Sequence, residues 1–305
     1  MNFEILINDN FCKYCDDSTL KGIDNKKVLS ILNDFEDGKW RTDKFQNFIW
    51  NNIKETALNA RERNALIGEG SIISRAVSKL RLIDDPNDKY NGKAGEIGEI
   101  ILYGIMKHFY KALPIVPKIF YKQNKQDFAK GSDSIHIVIE DEENFSLWFG
   151  ESKFYDSIEN SRLQNIVNSV NESLKKEKLK KENSIITGLK DLEEFTEISL
   201  ALRHKIISLL DEENSIDTIK PILNIPILIL HECTITKNET DNSLNYKSEI
   251  IKFHKDRATK YFEKQINTCS SVHLYSKIKF HLILFPVPEK KQIEDKFLQI
   301  AQAHK

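Results

Sequence analysis

Hydrophobic positions follow two spacings along the chain, one typical of strands and one typical of helices. Phe3–Ile7 alternates between apolar and polar residues, as a short strand does. Segments 42–63 and 72–83 carry apolar residues at helical spacing. The sequence Asp-Asp-Pro-Asn-Asp at 84–88 predicts a turn, and we place a domain boundary there.

The second predicted domain, residues 89–305, follows a mixed, mainly helical N-terminal region at residues 1–88. Its elements alternate in the order α-β-β-β-α-β-α-β, which predicts an α/β fold with a mixed sheet flanked by helices. Residues 184–220 are predicted to be a helical insertion. A tail helix ends near Ala303. The predicted core segments are 93–110, 116–121, 134–140, 145–154, 158–179, 225–236, 248–266 and 278–287.

Composition is ordinary for a soluble globular protein, with 40% hydrophobic and 30% charged residues in 305. No stretch approaches the roughly 18 apolar residues of a membrane span, and the start lacks the basic and then apolar run of a leader. Four cysteines are too few for a disulfide framework in a chain of this length. We therefore predict a cytoplasmic protein that does not associate with a membrane.

Charge is balanced, because 45 basic and 46 acidic side chains leave a net charge of −1. Proteins that hold DNA by themselves usually present a basic face, since phosphate neutralisation supplies much of the affinity. Balanced charge suits a protein to which a partner delivers DNA. The lysine-rich run at 175–181 can either contact a DNA backbone or form a solvated helix face.

Three short motifs carry the candidate chemistry: GEIGE at 95–99, GSD at 131–133 and GESK at 150–153. Hydrolysis of a phosphodiester requires a hydroxide-like nucleophile and neutralisation of the charge that grows on the phosphate. Magnesium supplies both and is bound by carboxylate oxygens together with water. A nuclease site should therefore combine two or three carboxylates with a nearby cationic side chain.

The predicted hairpin can bring such a set together. Asp133 opens its first strand and Glu151 lies in its second, so their carboxylates can meet at the sheet edge. Glu151 and Lys153 are two residues apart and share one face of the strand. Glu99, or Glu96 one turn earlier, can approach from the preceding helix.

An acidic-x-Lys triplet has little specificity alone, since this chain contains four others. Only the triplet at 151–153 lies in a predicted strand with a strand-borne aspartate upstream. It also interrupts an apolar, aromatic segment, FSLWFGESKFY, where charges are costly unless they are paired or bound to metal. The alternative interpretation is a structural ion pair between Glu151 and Lys153.

These residues match the PD-(D/E)xK nuclease signature, with Ser132 in place of the usual proline before Asp133. More narrowly, GEIGEIILYG, KGSDSIHI and FGESKFY resemble HamA, the nuclease subunits of the bacterial Hachiman anti-phage system. The resemblance is strongest over residues 92–170, and the order of elements extends it to about residue 290.

The resemblance implies a role for each site residue. Asp133 and Glu151 would bind Mg²⁺ or Mn²⁺, and Glu99, or Glu96 instead, would add a further ligand or hold a metal-bound water. Lys153 would orient or deprotonate the attacking water and stabilise the phosphate. Gln164, on the helix after the third strand, is either an accessory residue or a solvated polar residue. His136, expected on the same strand face as Asp133, is either an accessory residue or a structurally hydrogen-bonded histidine.

The function predicted from these features is a Mg²⁺-dependent deoxyribonuclease that acts in anti-phage defence. The resemblance implies DNA and a HamB-like helicase as partners, and no small-molecule substrate. ATP use would fall to the partner, since no GxxxxGK[ST] loop is present. Two alternatives are a restriction or repair nuclease with its own specificity, and a non-catalytic partner-binding scaffold with a nuclease-like fold.

Overall fold

A computed structural model describes residues 2–15, 17, 20, 22–66, 68–80, 92–117, 119, 132–187, 198–211 and 213–304. Nine strands are assigned within these ranges. A separate two-stranded hairpin is formed by β3 and β4. The strands are β1 (Glu4–Asn10), β2 (Lys26–Leu32), β3 (Phe35–Glu36), β4 (Lys39–Trp40), β5 (Leu113–Val116), β6 (Ser134–Ile139), β7 (Phe145–Tyr155), β8 (Leu223–Glu232) and β9 (Lys279–Val287).

Helices cover both faces of the main sheet. The longest is a 26-residue helix near the C-terminus. In the described ranges the α-helices are α1 (Thr42–Ala57), α2 (Ala60–Ala65), α3 (Glu69–Val77), α4 (Gly92–His108), α5 (Asn160–Ser173), α6 (Lys176–Thr187), α7 (Leu200–Leu209), α8 (Thr234–Lys237), α9 (Leu244–Cys269) and α10 (Lys290–Ala303). None of these helices has both the length and the apolar character needed to cross a bilayer.

The main sheet is mixed and has the strand order β1-β2-β9-β8-β7-β6-β5. Its centre, from β7 through β8 and β9 to β2, is parallel, and the outer pairs are antiparallel. β8 is buried along almost its whole length, as expected of a parallel strand covered on both faces. This central position explains the nearly unbroken apolar run of its sequence.

Side chains of alternating residues divide the core into two layers. On one face, α1, α4 and α10 pack against Phe154, Leu228 and Phe285. On the other face, α5 and α9 pack against Ile227 and Ile229. Neighbouring residues of a strand point to opposite faces. Side chains of odd-numbered residues in β7 therefore enter one layer, and those of even-numbered residues enter the other.

The structure confirms the predicted mixed α/β fold and the predicted order of elements after residue 92. Several predicted segments have other bounds. The helix predicted over 42–63 is two helices, α1 and α2, and the strand predicted over 116–121 is replaced by β5, which ends at Val116. The helix predicted over 158–179 is two helices, α5 and α6, and the strand predicted over 225–236 ends at Glu232, before α8. The turn predicted at 84–88 lies outside the described residues, as does part of the predicted insertion.

The N-terminal region contributes two strands to the main sheet, and the sequence analysis missed β2. Strand β2 begins with Lys26 and shows no alternation, because both of its faces are covered. The Lys26 amino group is nevertheless buried, donates to Asn25 Oδ1 at 2.9 Å and lies 4.7 Å from the centre of the Tyr275 ring. Burial lowers its pKa to about 7, so a lysine can begin this buried strand partly in its neutral form.

A histidine cluster, formed by Ser30, His231 and His254, joins β2, β8 and α9 in the core. His231 Nε2 lies 3.0 Å from His254 Nε2, and His254 Nδ1 lies 2.7 Å from Ser30 Oγ. His231 Nδ1 must carry hydrogen, since it lies 3.2 Å from the carbonyl oxygen of Glu232, which can only accept. Burial lowers the pKa of His231 to about 4 and that of His254 well below its usual value. The cluster is therefore neutral near pH 7.

Candidate active site

The hairpin of β6 and β7 brings Asp133 beside Glu151. Ser134 pairs with Gly150, so Asp133 lies opposite Glu151 just before β6 begins. The Asp133 amide donates to Gly150 O at 2.7 Å, and Asp133 Oδ2 accepts from the Ser152 amide at 2.9 Å. The predicted approach of these two carboxylates thus follows from the register of one antiparallel pair.

Lys153 lies between the two carboxylates. Its Nζ donates to Glu151 Oε1 at 2.5 Å and lies 3.8 Å from Asp133 Oδ2. Glu151 and Lys153 share one face of β7, as their spacing predicts. One ammonium therefore faces two carboxylates, which leaves one excess negative charge within this group when all three are ionised.

Burial shapes the charges of this group. Glu151 is 7% exposed, and burial, followed by the negative charge of Asp133, raises the pKa of its carboxyl despite the opposing effect of Lys153. Burial disfavours the ammonium of Lys153, but the charges of Glu151 and Asp133 outweigh burial and raise its pKa. Lys153 thus stays charged at neutral pH.

A cavity of about 240 Å³ opens beside Glu151. Ser169 of α5 donates from Oγ to Glu151 Oε1 at 2.6 Å. On another wall, the buried Glu182 of α6 accepts from the Ser132 amide at 2.5 Å. The cavity is lined by Ser132, Glu151, Ser169, Glu172, Ser173, Lys178 and Glu182.

Helix α4 packs closely against the other face of β7. A Cβ atom on Gly98 would lie 3.1 Å from Ser152 Oγ, so the helix approaches the strand through this glycine. A Cβ atom on Gly150 would lie 2.2 Å from Ser134 Oγ and 2.8 Å from Leu102 Cδ2. Only glycine therefore fits at position 150, immediately before Glu151.

Glu96 and Glu99 are both buried on α4. Since α4 contacts β7 through Ser152, this helix covers the face opposite to the side chains of Glu151 and Lys153. The structure thus brings Asp133, Glu151 and Lys153 together, and it buries both predicted helix glutamates on α4.

The expected position of His136 is wrong. His136 follows Asp133 by three residues, and an odd spacing turns a strand side chain to the opposite face. Its ring is buried on the α4 side, with its centroid 5.2 Å from that of Tyr103. Burial lowers the pKa of His136 to about 3, so the ring is neutral.

Gln164 lies on α5, and its side chain contacts residues of α5 and α9. Its Nε2 donates to Asn168 Oδ1 at 3.0 Å and lies 3.5 Å from Thr268 Oγ1 of α9. Ser169, five residues later on the same helix, makes the contact with Glu151 instead. Sequence reasoning missed Ser169; its signal was a polar residue beside the buried helix positions Ile166 and Val170.

The donor set fits a divalent cation bound by few protein ligands. Among the described residues, no group of three or more His, Cys, Asp and Glu side chains is arranged to hold a metal. Asp133 and Glu151 provide two carboxylates with excess negative charge beside a cavity. Magnesium commonly binds through one or two carboxylates and retains water for the other positions.

Comparison with known proteins identifies the family. A family model described as HamA matches residues 7–301 of 305. The chain belongs to the HamA family. Membership fits a protein of the Hachiman defence system. No curated protein and no solved structure matches this HamA-family chain.

Proposed function

We propose that this HamA-family protein is a Mg²⁺- or Mn²⁺-dependent DNA endonuclease with a PD-(D/E)xK core. It would act as the effector of a bacterial anti-phage system together with a HamB-like helicase. The observation that carries the proposal is the position of Lys153 between the half-buried carboxylate of Asp133 and the buried carboxylate of Glu151. A structural ion pair needs only one carboxylate for one ammonium, whereas this group has two.

Each residue has a distinct role in hydrolysis. Asp133 and Glu151 would hold the cation through carboxylate oxygens. Bound Mg²⁺ supplies an acidified water and neutralises charge on the phosphate. The Lys153 ammonium donates hydrogen bonds that orient the attacking water and stabilise negative charge growing on the phosphate oxygens. The charges of Glu151 and Asp133 raise its pKa, which favours the protonated form that donates these bonds.

The charges around the cavity and over the whole chain favour DNA that a partner delivers. Lys178 lines the cavity together with Glu151, Glu172 and Glu182, so the lysine-rich run at 175–181 lies beside Glu151. The whole chain nevertheless has a net charge of −1, which favours delivery by another subunit over capture of DNA from solution.

Plasmid degradation tests the proposal. The chain, alone and with its helicase partner, is incubated with plasmid DNA in Mg²⁺ or EDTA, beside Glu151→Ala and Lys153→Ala. Lys237→Ala, an exposed lysine paired with Glu289, is the control. We expect metal-dependent cleavage by the wild type and Lys237→Ala, and none by the two site variants.

The other outcomes separate the alternatives. Cleavage that survives in both site variants would place the active site elsewhere. Folded wild-type protein that binds its partner but never cuts would support the scaffold function. Cleavage confined to one DNA sequence, without the partner, would support a restriction nuclease.

A further inference from the structure

We infer that Ser169 and Glu182 are positioning residues for the proposed metal-binding carboxylates. They lie on consecutive helices, α5 and α6, and reach the strands from the same side of the sheet. The inference rests on the proposed function and adds how its two acidic residues are held. Neither residue is required to touch the reacting phosphate.

Ser169 determines how the Glu151 carboxylate is presented. Both hydrogen bonds that Glu151 accepts from the described residues end on Oε1, at 2.5 Å from Lys153 Nζ and 2.6 Å from Ser169 Oγ. Two donors on one oxygen fix the rotation of the carboxylate and leave Oε2 as the oxygen available to a cation. The serine thereby separates the lysine-binding oxygen from the cation-binding oxygen.

Glu182 fixes the backbone that carries Asp133. Its Oε1 accepts from the amide of Ser132, the residue immediately before Asp133, at 2.5 Å. On the other side of Asp133, its own amide donates to Gly150 O. The chain at Asp133 is therefore anchored twice, once to α6 and once to β7. A charge-assisted bond to a backbone amide is among the stronger hydrogen bonds.

Groups that orient metal ligands affect metal affinity without touching the metal. Loss of such an outer partner commonly costs about 10- to 100-fold in affinity. A serine that only fills space would show no such effect, because its hydroxyl would be dispensable. Metal binding without DNA therefore distinguishes a positioning role from a packing role.

The test measures Mn²⁺ binding to the full chain by isothermal titration calorimetry, without DNA. We expect Ser169→Ala to weaken Mn²⁺ binding on the order of tenfold, and Ser169→Thr, which keeps the hydroxyl, to restore most of it. Ser173→Ala is the matched control. Ser173 lines the same cavity, but its hydroxyl donates to Val170 O of its own helix at 2.7 Å.

Cleavage provides a second readout. In Ser169→Ala we expect a higher Mg²⁺ concentration for half-maximal rate and recovery of most activity at saturating Mg²⁺. If Ser169→Ala binds Mn²⁺ as tightly as Ser173→Ala and the wild type, the inference about Ser169 is wrong.

Glu182 is tested by two substitutions, of which only one keeps an acceptor for the Ser132 amide. Glu182→Gln keeps a carbonyl oxygen that accepts from the Ser132 amide, whereas Glu182→Ala removes the acceptor. We expect Glu182→Ala to weaken Mn²⁺ binding severalfold and Glu182→Gln to stay closer to the wild type. Equal affinities in both variants and the wild type would overturn the role of Glu182.

Failure of this inference is distinguishable from failure of the proposed function. A wild-type chain that neither binds Mn²⁺ nor cuts DNA with its partner would remove the proposed function, and the inference with it. A wild type that does both, beside variants that match it, would remove the inference alone. Melting temperatures of all variants identify any that fail to fold.

Discussion

Two polar clusters on neighbouring parts of the sheet differ in charge, in burial and in access to a cavity. The β7 cluster, formed by Asp133, Glu151, Lys153 and Ser169, is charged and opens to a cavity. The histidine cluster is neutral and fully enclosed, and each of its three members has a hydrogen-bond partner.

The difference in charge and enclosure indicates different roles for the two clusters. In the histidine cluster the chain of donors and acceptors runs from Ser30 through His254 and His231 to a backbone oxygen, without excess charge. Satisfied neutral networks stabilise one particular packing of a core. The β7 cluster places two carboxyl groups and one ammonium next to open space, and this arrangement suits a cation and an anionic substrate.

The largest expected effect is on catalysis. Lys153→Ala removes a charged hydrogen-bond donor, and we expect the cleavage rate to fall on the order of 10²- to 10³-fold. Unfolding monitored by circular dichroism should remain cooperative. A variant with full activity would show that the β7 cluster is only a structural ion pair.

The second effect is a dependence of folding stability on pH that arises from the histidine cluster. The pKa of His231 is about 4 in the folded chain and about 6.5 when unfolded. Between these values the unfolded chain binds more protons, so stability present above pH 6.5 is lost as the pH falls towards 4. His231 contributes about 3 kcal/mol to this loss by pH 4, and His254 adds to it.

Urea unfolding at a series of pH values measures this dependence. His231→Gln should reduce the slope between pH 6.5 and 5, where most carboxylates remain ionised. The prediction is contradicted if wild-type stability is constant over that interval.

A smaller effect comes from Ser30→Ala. The substitution leaves His254 Nδ1 buried without its donor, and we expect the free energy of unfolding to fall by about 1–3 kcal/mol. Chemical denaturation checks the change, with Ser173→Ala as control. Mn²⁺ affinity should be unaltered. A weakening of Mn²⁺ binding like that expected of Ser169→Ala would show that the two clusters are coupled.

The smallest effect concerns the lysines beside the cavity. Lys176→Gln combined with Lys178→Gln should weaken DNA binding a few-fold and reduce the salt dependence by about one ion for each lysine that contacts a phosphate. Fluorescence anisotropy at several salt concentrations measures both. The control is Lys237→Gln with Lys291→Gln, two exposed lysines away from the cavity. Equal losses in the two double variants would indicate a general charge effect.

Local rules were enough to predict the core of the β7 cluster. Pairing of adjacent strands brings Asp133 to Glu151, and a spacing of two places Lys153 on the same face. The same rule, applied to the odd spacing of His136, would have put that ring on the opposite face. Mixed α/β architecture followed from the alternation of helical and strand-like segments.

Longer-range features could not be predicted from spacing. Ser169 contacts Glu151 only because α5 docks on one particular face of β7, and nothing in the local pattern fixes that docking. β2 lacks alternation because both of its faces are covered, and its parallel neighbour, β9, lies about 250 residues further along the chain. Its sequence therefore resembles a buried segment of no particular type.

The pairing of β2 with β9 also determines when the molecule can be completed. During synthesis, residues 26–32 can pair with their parallel neighbour only after residues 279–287 have left the ribosome. Contacts between such distant parts of a chain form slowly, and unfinished sheets expose strand edges. Strand β8, which lies between β7 and β9, likewise remains an edge until then. A nascent or truncated chain that lacks residues 279–287 therefore lacks the finished sheet around Glu151, and the proposed nuclease would mature only after these residues have been made.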